Sequence, residues 1–364
     1  MKEIIITLFL FLNVGYLYSQ TITGKIYDNT TKEPIPEVSV YLNGTTYNTM
    51  TNSKGEFELT FDKIINTDLV ISRVGYNVIS IPNPHDGIPE RIFLTQKTVL
   101  DEVIVEPKYK GRKFTRRELL NMFQNQFIGS SKSARLCKIK NEKEIKLFYD
   151  YDENILIAQC DNPIIIENKY LKYTINFNLL SFHVKYSGGT GFWRGVISSG
   201  FAGTSSFIDQ GKNKKDIIKR RKEIYNESRE FFLKNVANNT LKEVGFNFYL
   251  NGFPVSQERV LIVTDTLSMK KVTIPPFLNV DPDDESIAGF DFKDQKVYGL
   301  LTVADKNKKQ SQIAFLTEYF FIDRFGNISY LDEDGERQYE EKVLFSGSIG
   351  NMRAGDMLPL DYEP

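Results

Sequence analysis

Alternation of apolar and polar residues is the feature that most limits how the first part of this chain can fold. Between residues 21 and 105 apolar side chains recur at every second position, as in VSVYL at 38–42 and EFELTF at 56–61. Successive side chains of a β-strand point to opposite faces, so the pattern predicts strands with one buried face. Turn-forming stretches rich in Pro, Gly, Asn and Asp separate them. About seven such strands predict a small Ig-type β-sandwich.

The chain begins with the leader MKEIIITLFLFLNVGYLYSQ, in which Lys2 precedes an apolar run and the small residue Ser19 stands before Gln20. This order is typical of a secretory signal, and we expect cleavage between Ser19 and Gln20, which removes residues 1–19. The alternative is an uncleaved anchor, but the run is shorter than the roughly 20 apolar residues that cross a bilayer. We therefore expect an exported protein in the periplasm, at the outer membrane or outside the cell, with no transmembrane segment after cleavage.

The rest of the sequence predicts a second, sheet-rich domain with two marked helices. Thr115 and Glu118 form a capping box before an apolar face of spacing four, which predicts a helix. Four alternating segments follow and predict a meander, and a second, charged helix is predicted from residue 215 to a C-terminal cap at Gly245. The strands that follow complete an α+β domain. The predicted domains are a β-sandwich at 20–106, a linker at 107–114 and the α+β domain at 115–364.

The first domain resembles a known family. The segments TGKIYDNTTKEPIPEVSVYLNGT, TNSKGEFEL, ISRVGYNVISI and LDEVIV, in this order, are similar to the carboxypeptidase-regulatory-like module of Bacteroidota envelope proteins. The resemblance implies a transthyretin-like β-sandwich at the front of an envelope protein, and it implies no catalytic activity. Segments of the second part, among them PIIIENKYLKYTINFNL and DMLPLDYEP, resemble the downstream region of stand-alone Bacteroidota proteins that begin with this module.

Catalytic motifs do not support an enzyme. A zinc carboxypeptidase needs two histidines and a carboxylate, with a histidine and a glutamate three residues apart, but His85 and His183 are the only histidines and neither begins such a motif. A serine hydrolase needs a Gly-x-Ser-x-Gly turn and a base, and only a folding back of His183 would supply that base. Acid-rich segments leave open a carboxylate pair that hydrolyses glycans, although solvated turns have the same composition. We expect no cofactor and no metal.

An aromatic, glycine-rich stretch at residues 186–207 is the best candidate for a binding surface. Its composition suits a loop that stacks on a sugar or grips a peptide. The alternative is that the aromatic side chains fill the core of the second domain, as most aromatic residues do. The candidate binding residues are Tyr186, Phe192, Trp193, Arg194 and Phe201.

The formal net charge of −1 gives no overall field that would attract nucleic acid, and we expect none as a partner. The basic segment KNKKDIIKRRKE is interleaved with acids, which favours a solvated helix face. In a simple meander the strands of Cys137 and Cys160 flank a common neighbour and lie about 9 to 10 Å apart, beyond disulfide reach. We therefore predict two buried, unlinked thiols.

These observations predict a non-catalytic envelope protein that binds or scaffolds an outer-membrane or periplasmic partner, either a protein or a glycan. The alternative is a hydrolase of an envelope or nutrient polymer that uses carboxylates not yet assigned.

Overall fold

A computed structural model describes residues 20–97, 111–187, 195–211, 214–266, 269–279, 296–331, 337–338 and 342–364. The predicted signal sequence at 1–19, residues 107–110 of the predicted linker and residues 188–194 of the aromatic stretch lie outside these residues. The chain divides into two compact units, Met1–Val99 and Leu100–Pro364. Within the described residues, no helix is both long and apolar enough to cross a membrane.

The first unit is a two-sheet sandwich. One sheet has the order β4-β1-β7, with β1 and β7 parallel, and the other has the order β3-β2-β5-β6. The inward side chains of both sheets, such as Ile26, Val40 and Leu59, form one buried core. The predicted Ig-like sandwich is therefore confirmed. Its strands are β1 Gln20–Asp28, β2 Ser39–Leu42, β3 Asn48–Met50, β4 Glu56–Phe61, β5 Leu69–Ser72, β6 Ile79–Ile81 and β7 Arg91–Leu94.

The second unit opens with the predicted helix, α1 Arg116–Phe127. Thr115 accepts the N–H of Glu118 and the Glu118 side chain accepts the N–H of Thr115, so the capping box is confirmed. Phe123 and Phe127 of α1 are fully buried against the sheet that follows. The strands of that sheet are β8 Cys137–Ile139, β9 Lys146–Asp150, β10 Ile155–Gln159, β11 Ile164–Asn168, β12 Tyr173–Tyr186 and β13 Val196–Asp209.

The order of this sheet differs from the predicted meander. Its path is β8-β11-β12-β10-β9, and β13 also pairs with β12. The reason is the length of β12, which has 14 residues. It pairs with β11 over Tyr173–Phe177 and with β10 over His183–Lys185, so two short strands pair with different stretches of one long strand. The meander prediction is wrong, and β8 and β9 lie at opposite ends of the path.

The second predicted helix is interrupted. It forms α2 Lys215–Tyr225 and α3 Arg229–Ala237, and Gly245 lies in a later turn with φ of 93°. The break falls at Ser228, whose hydroxyl accepts the N–H of Phe231 (3.0 Å) and starts a new helix. A serine side chain competes in this way with helical hydrogen bonding, so the prediction of one long helix is wrong.

A second core forms where α3 packs against two five-stranded sheets with the orders β15-β14-β18-β19-β23 and β16-β17-β20-β21-β22. Phe232, Leu301 and Phe320 are among its buried residues. The predicted fold class, mainly β with an α+β second part, is confirmed by these elements. They are β14 Asn247–Leu250, β15 Phe253–Val255, α4 Gln257–Val260, β16 Ile262–Asp265, β17 Lys270–Thr273, β18 Gly299–Ala304, β19 Gln310–Phe315, β20 Tyr319–Ile322, β21 Ile328–Leu331, β22 Arg337–Gln338, β23 Val343–Ser346 and α5 Gly347–Gly350.

Candidate functional site

The two histidines lie in different units and in different settings. His85 Nε2 lies 3.0 Å from the Ile65 carbonyl oxygen, and its ring meets the edge of Phe61. His183 is exposed on β12 and its ring covers Gly200, where an added Cβ would lie 2.9 Å from His183 Cε1. No group of three metal-ligating side chains comes together in the described part of the chain.

The aromatic candidates from the sequence lie partly in the core. Tyr186 ends β12, is buried, and has its pKa raised to about 12 by that burial. Phe201 on β13 is half-buried and meets the ring of Phe127 edge-on at 5.1 Å. Both rings therefore contribute to the packing around α1. Phe192, Trp193 and Arg194 lie outside the described residues, so a binding role for this loop stays a prediction.

A buried polar cluster joins two distant parts of the second unit. The Ser131 hydroxyl donates to Asp356 Oδ1 (2.5 Å) and the Ser133 hydroxyl donates to the Gly355 carbonyl (2.6 Å). Asn168, which is 1% exposed, donates to both the Ser133 hydroxyl and the Gly355 carbonyl. Its side-chain oxygen accepts two further N–H groups from the backbone that follows β11. The cluster therefore fastens the segment after α1 and the segment after β11 to the C-terminal segment.

Gly355 is required for this close approach. A Cβ at this position would lie 2.6 Å from the Ile128 carbonyl oxygen and 2.7 Å from Ala134 Cα, both backbone atoms. The Gly355 N–H also donates to that Ile128 carbonyl (3.0 Å). Backbone atoms cannot move aside as a flexible side chain can, so a larger residue would separate the segments.

The buried polar cluster and the neighbouring Cys137 contain residue types that can act as nucleophiles, but no neighbouring group activates them. Burial raises the pKa of the neighbouring Cys137 thiol to about 12, so the thiol stays protonated at neutral pH and is a poor nucleophile. Burial also raises the pKa of Asp356 above its usual range, against the lowering by the Ser131 hydrogen bond. Among the described residues, neither Cys137 nor Asp356 forms a hydrogen bond with a histidine. The cluster is therefore suited to fastening chain segments.

The two cysteines are not joined by a disulfide. Cys137 begins β8, and its Sγ lies 3.5 Å from the Ser133 carbonyl oxygen. Cys160 directly follows β10. Two strands separate β8 from β10 in the path of the sheet, whereas one strand separates them in the predicted meander. Both cysteines are half-buried, so the prediction that they are fully buried is wrong.

The segments that the buried polar cluster fastens carry exposed cations. The Lys132 Nζ and the Arg220 guanidinium both lie over the Tyr170 ring, at 5.3 and 5.1 Å from its centroid. The Lys169 N–H donates to the Leu136 carbonyl (3.1 Å), which brings the loop after β11 beside the loop before β8. We call this surface the basic patch; it consists of Lys132, Arg135, Leu136, Lys169, Tyr170 and Arg220.

Arg221 holds the second of these segments against α2. Its guanidinium donates to the carbonyls of Leu171 (2.9 Å) and Lys172 (3.3 Å) and to both carboxylate oxygens of Asp209 (2.7 and 2.9 Å). It also lies 3.7 Å from the Tyr173 ring centroid. These contacts lower the pKa of Asp209, chiefly through the hydrogen bond from Arg221. The position of the basic patch is thus set by a buried arginine and a buried polar cluster together.

The sequence pattern does not predict the basic patch. The charged segment of α2 predicts a solvated helix face, and SKSARLCK at residues 131–138 predicts part of a strand that carries Cys137, not a binding surface. The patch joins three segments that are far apart in the sequence. The closest sequence signal is the pair of cations, Lys132 and Arg135, around a run of small residues.

Comparison with known proteins adds one finding for the first unit. The model of the CarboxypepD_reg-like domain family matches residues 22–105. This supports the resemblance drawn from the sequence for that domain. No curated protein matches the chain.

Proposed function

We propose that this chain is an exported, non-catalytic protein of the cell envelope, and that its second unit binds an envelope partner through the basic patch. In this proposal residues 1–19 are a signal peptide, and the mature chain resides in the periplasm or at the outer membrane. The first unit is a transthyretin-like module of the kind that begins Bacteroidota envelope proteins, and the second unit is a domain specific to that group.

The proposal rests on the buried polar cluster, which fixes the loop that carries Lys132 and Arg135. Its serines, asparagine and aspartate are engaged in hydrogen bonds to one another and to backbone carbonyls. A catalytic group needs an open approach for substrate and a partner that activates it. Here the groups instead fix the loop that presents Lys132 and Arg135 at the surface. Side chains held on a rigid support are typical of a binding surface.

The support beneath the basic patch reduces the entropy that binding would cost. Ser131 and Ser133 flank Lys132 and are themselves fixed to the C-terminal segment. Asn168 precedes Lys169 and accepts the N–H of Tyr170 (3.0 Å). A partner therefore meets cations whose backbone is already ordered, and preorganisation of this kind raises affinity.

Capture and turnover assays with the mature chain, residues 20–364, test the proposal. We expect the immobilised chain to retain a specific stoichiometric partner from envelope extracts of the producing organism. We expect a triple variant, K132E/R135E/K169E, to lose that partner, while K242E/K308E, with charge reversals in other exposed turns, retains it. The same preparations should leave a panel of peptidoglycan and glycan polymers uncleaved. Turnover of a polymer by the wild-type chain would instead establish the hydrolase alternative.

A further inference from the structure

The charge and shape of the basic patch point to a more specific partner. We infer that the basic patch docks on an anionic phospholipid surface, with its cations at the headgroup phosphates and Leu136 at the boundary of the acyl chains. This inference rests on the proposed binding role of the second unit and names the partner of the same surface.

Positive charge outnumbers negative charge in the basic patch. Among the described residues, Lys132, Arg135 and Lys169 are exposed and lie within 4 Å of no carboxylate. Glu167 pairs with Lys140 at 3.2 Å, and Lys169 and Lys138 also help to lower its pKa, so this one carboxylate is shared by three lysines. Three cations on two adjoining loops create a local positive field although the whole chain is almost neutral. Such a field attracts the negative surface of a bilayer that contains anionic lipids.

Arg220 also contributes positive charge to the basic patch, but a nearby acid partly neutralises it. Arg220 pairs with Asp216 at 3.2 Å, one turn earlier on α2, and both side chains are accessible to solvent. Exposed pairs of this kind are weak, so Arg220 can exchange Asp216 for a phosphate at small cost. Its guanidinium geometry suits the oxygens of a phosphate group.

The basic patch also contains an exposed apolar residue. Leu136 is 48% exposed, follows Arg135 directly, and accepts the N–H of Lys169 through its carbonyl. An apolar side chain next to cationic side chains matches the layering of a membrane interface, where phosphates lie above the acyl chains. A bilayer can engage the cations and the exposed leucine together, whereas an acidic protein partner would engage only the cations.

The backbone of the basic patch is already ordered before a partner binds. The Tyr170 ring is 5% exposed and supports Lys132 and Arg220 from below. The loop of Leu136 is fixed through the buried polar cluster. Each cation near an anionic membrane contributes only about 1 kcal/mol to binding. A low entropy cost of ordering the loops therefore allows a few cations to hold the chain at the membrane.

Vesicle co-sedimentation of the mature chain tests the inference. We expect binding to phosphatidylcholine vesicles that contain phosphatidylglycerol, no binding to phosphatidylcholine alone, and release by high salt. Each cation near an anionic surface changes the partition constant about fivefold, so loss of three cations alone weakens binding on the order of 100-fold, and the six units of charge change in K132E/R135E/K169E should weaken it by at least that factor. The control K242E/K308E carries four units of charge change elsewhere and should bind nearly as the wild type does.

Two further measurements extend the test. One distinguishes a lipid headgroup from free phosphate as the ligand, and the other tests the contribution of Leu136. Inorganic phosphate at concentrations that match the vesicle phosphate should not displace the chain, because a free anion offers no layer for Leu136. We expect L136A to weaken vesicle binding severalfold without altering its salt dependence. Binding by the triple variant equal to that of the wild type would overturn the inference, and so would full competition by inorganic phosphate.

The outcomes also distinguish this inference from the proposed function. A chain that fails to bind anionic vesicles but retains a protein from envelope extracts, with loss in the triple variant, contradicts the lipid partner and leaves the binding function standing. Circular dichroism of each variant establishes that loss of binding is not loss of folding.

Discussion

Replacement of Arg221 by methionine should destabilise the second unit far more than replacement of its neighbour Arg220. The two arginines are adjacent on α2, but the Arg221 side chain is 8% exposed and the Arg220 side chain is 36% exposed. R221M would remove both hydrogen bonds to Asp209 and the Arg221 donor to the Leu171 carbonyl, while the Lys172 carbonyl keeps the N–H of Gln210 (2.9 Å). R220M would break a solvent-accessible ion pair with Asp216 and a contact with the Tyr170 ring at 5.1 Å from its centroid, and it would leave no buried charge.

The magnitude follows from the surroundings of each pair. Removal of one member of a fully buried ion pair costs about 3–5 kcal/mol. The Asp209 side chain is 40% exposed and regains water when it loses Arg221, which reduces the cost. Loss of the stacking on Tyr173 adds about 1 kcal/mol. We expect R221M to lower the free energy of unfolding by about 2–4 kcal/mol and R220M by less than about 1 kcal/mol.

Urea unfolding of the mature chain followed by far-UV circular dichroism measures these values. R221K should fall between the two variants, because lysine keeps the charge but cannot donate to Asp209 and a carbonyl in the same planar arrangement. A double-mutant cycle with D209N should give a coupling above about 1 kcal/mol. Equal destabilisation by R221M and R220M would refute the reasoning.

Three further predictions concern titration and the cysteines. Burial raises the pKa of Asp356 above its ordinary value of 3.8. The wild type should therefore lose stability relative to D356N as pH rises from about 3.8 through the raised pKa. A difference in urea midpoint between the two proteins that does not change with pH would contradict this. Hydrogen bonds from the Thr31 N–H and other donors lower the pKa of Asp28, so D28N should lower the thermal midpoint of the first unit at pH 7, by an amount that vanishes as pH falls well below 3.8. Mass spectrometry after alkylation of the denatured, unreduced protein should show modified Cys137 and Cys160, and a cross-link between them would contradict the structure.

The parts of the fold that the sequence predicted correctly depend on neighbouring residues. The capping box at Thr115 needs only Glu118 three residues on, and the sandwich strands need only their own alternation. The helix break at Ser228 is also local, but a serine within a charged segment reads equally well as a solvated position. Its role as a cap depends on Phe231 and Phe232 turning into the second core, which the spacing does not reveal.

The candidate site could not be predicted because its contacts are long in sequence. Ser131 and Asp356 are 225 residues apart and Asn168 and Gly355 are 187 apart. The sheet order has the same cause, since the length of β12 decides which strands meet. The role of a single residue such as Lys132 depends on residues of distant segments that the fold places beside it, and the sequence pattern does not show which residues these are.

Site-specific photo-crosslinking measures most directly whether the basic patch is the binding surface. A photoreactive side chain placed at Leu136, or as a control at Lys308 in the turn between β18 and β19, is irradiated in the mature chain mixed with envelope extracts. We predict adducts to a lipid or protein partner at position 136, many-fold above those at position 308 and lost in the K132E/R135E/K169E background. Equal adduct yields at both positions, or adducts at 136 that survive the charge reversals, would contradict the account.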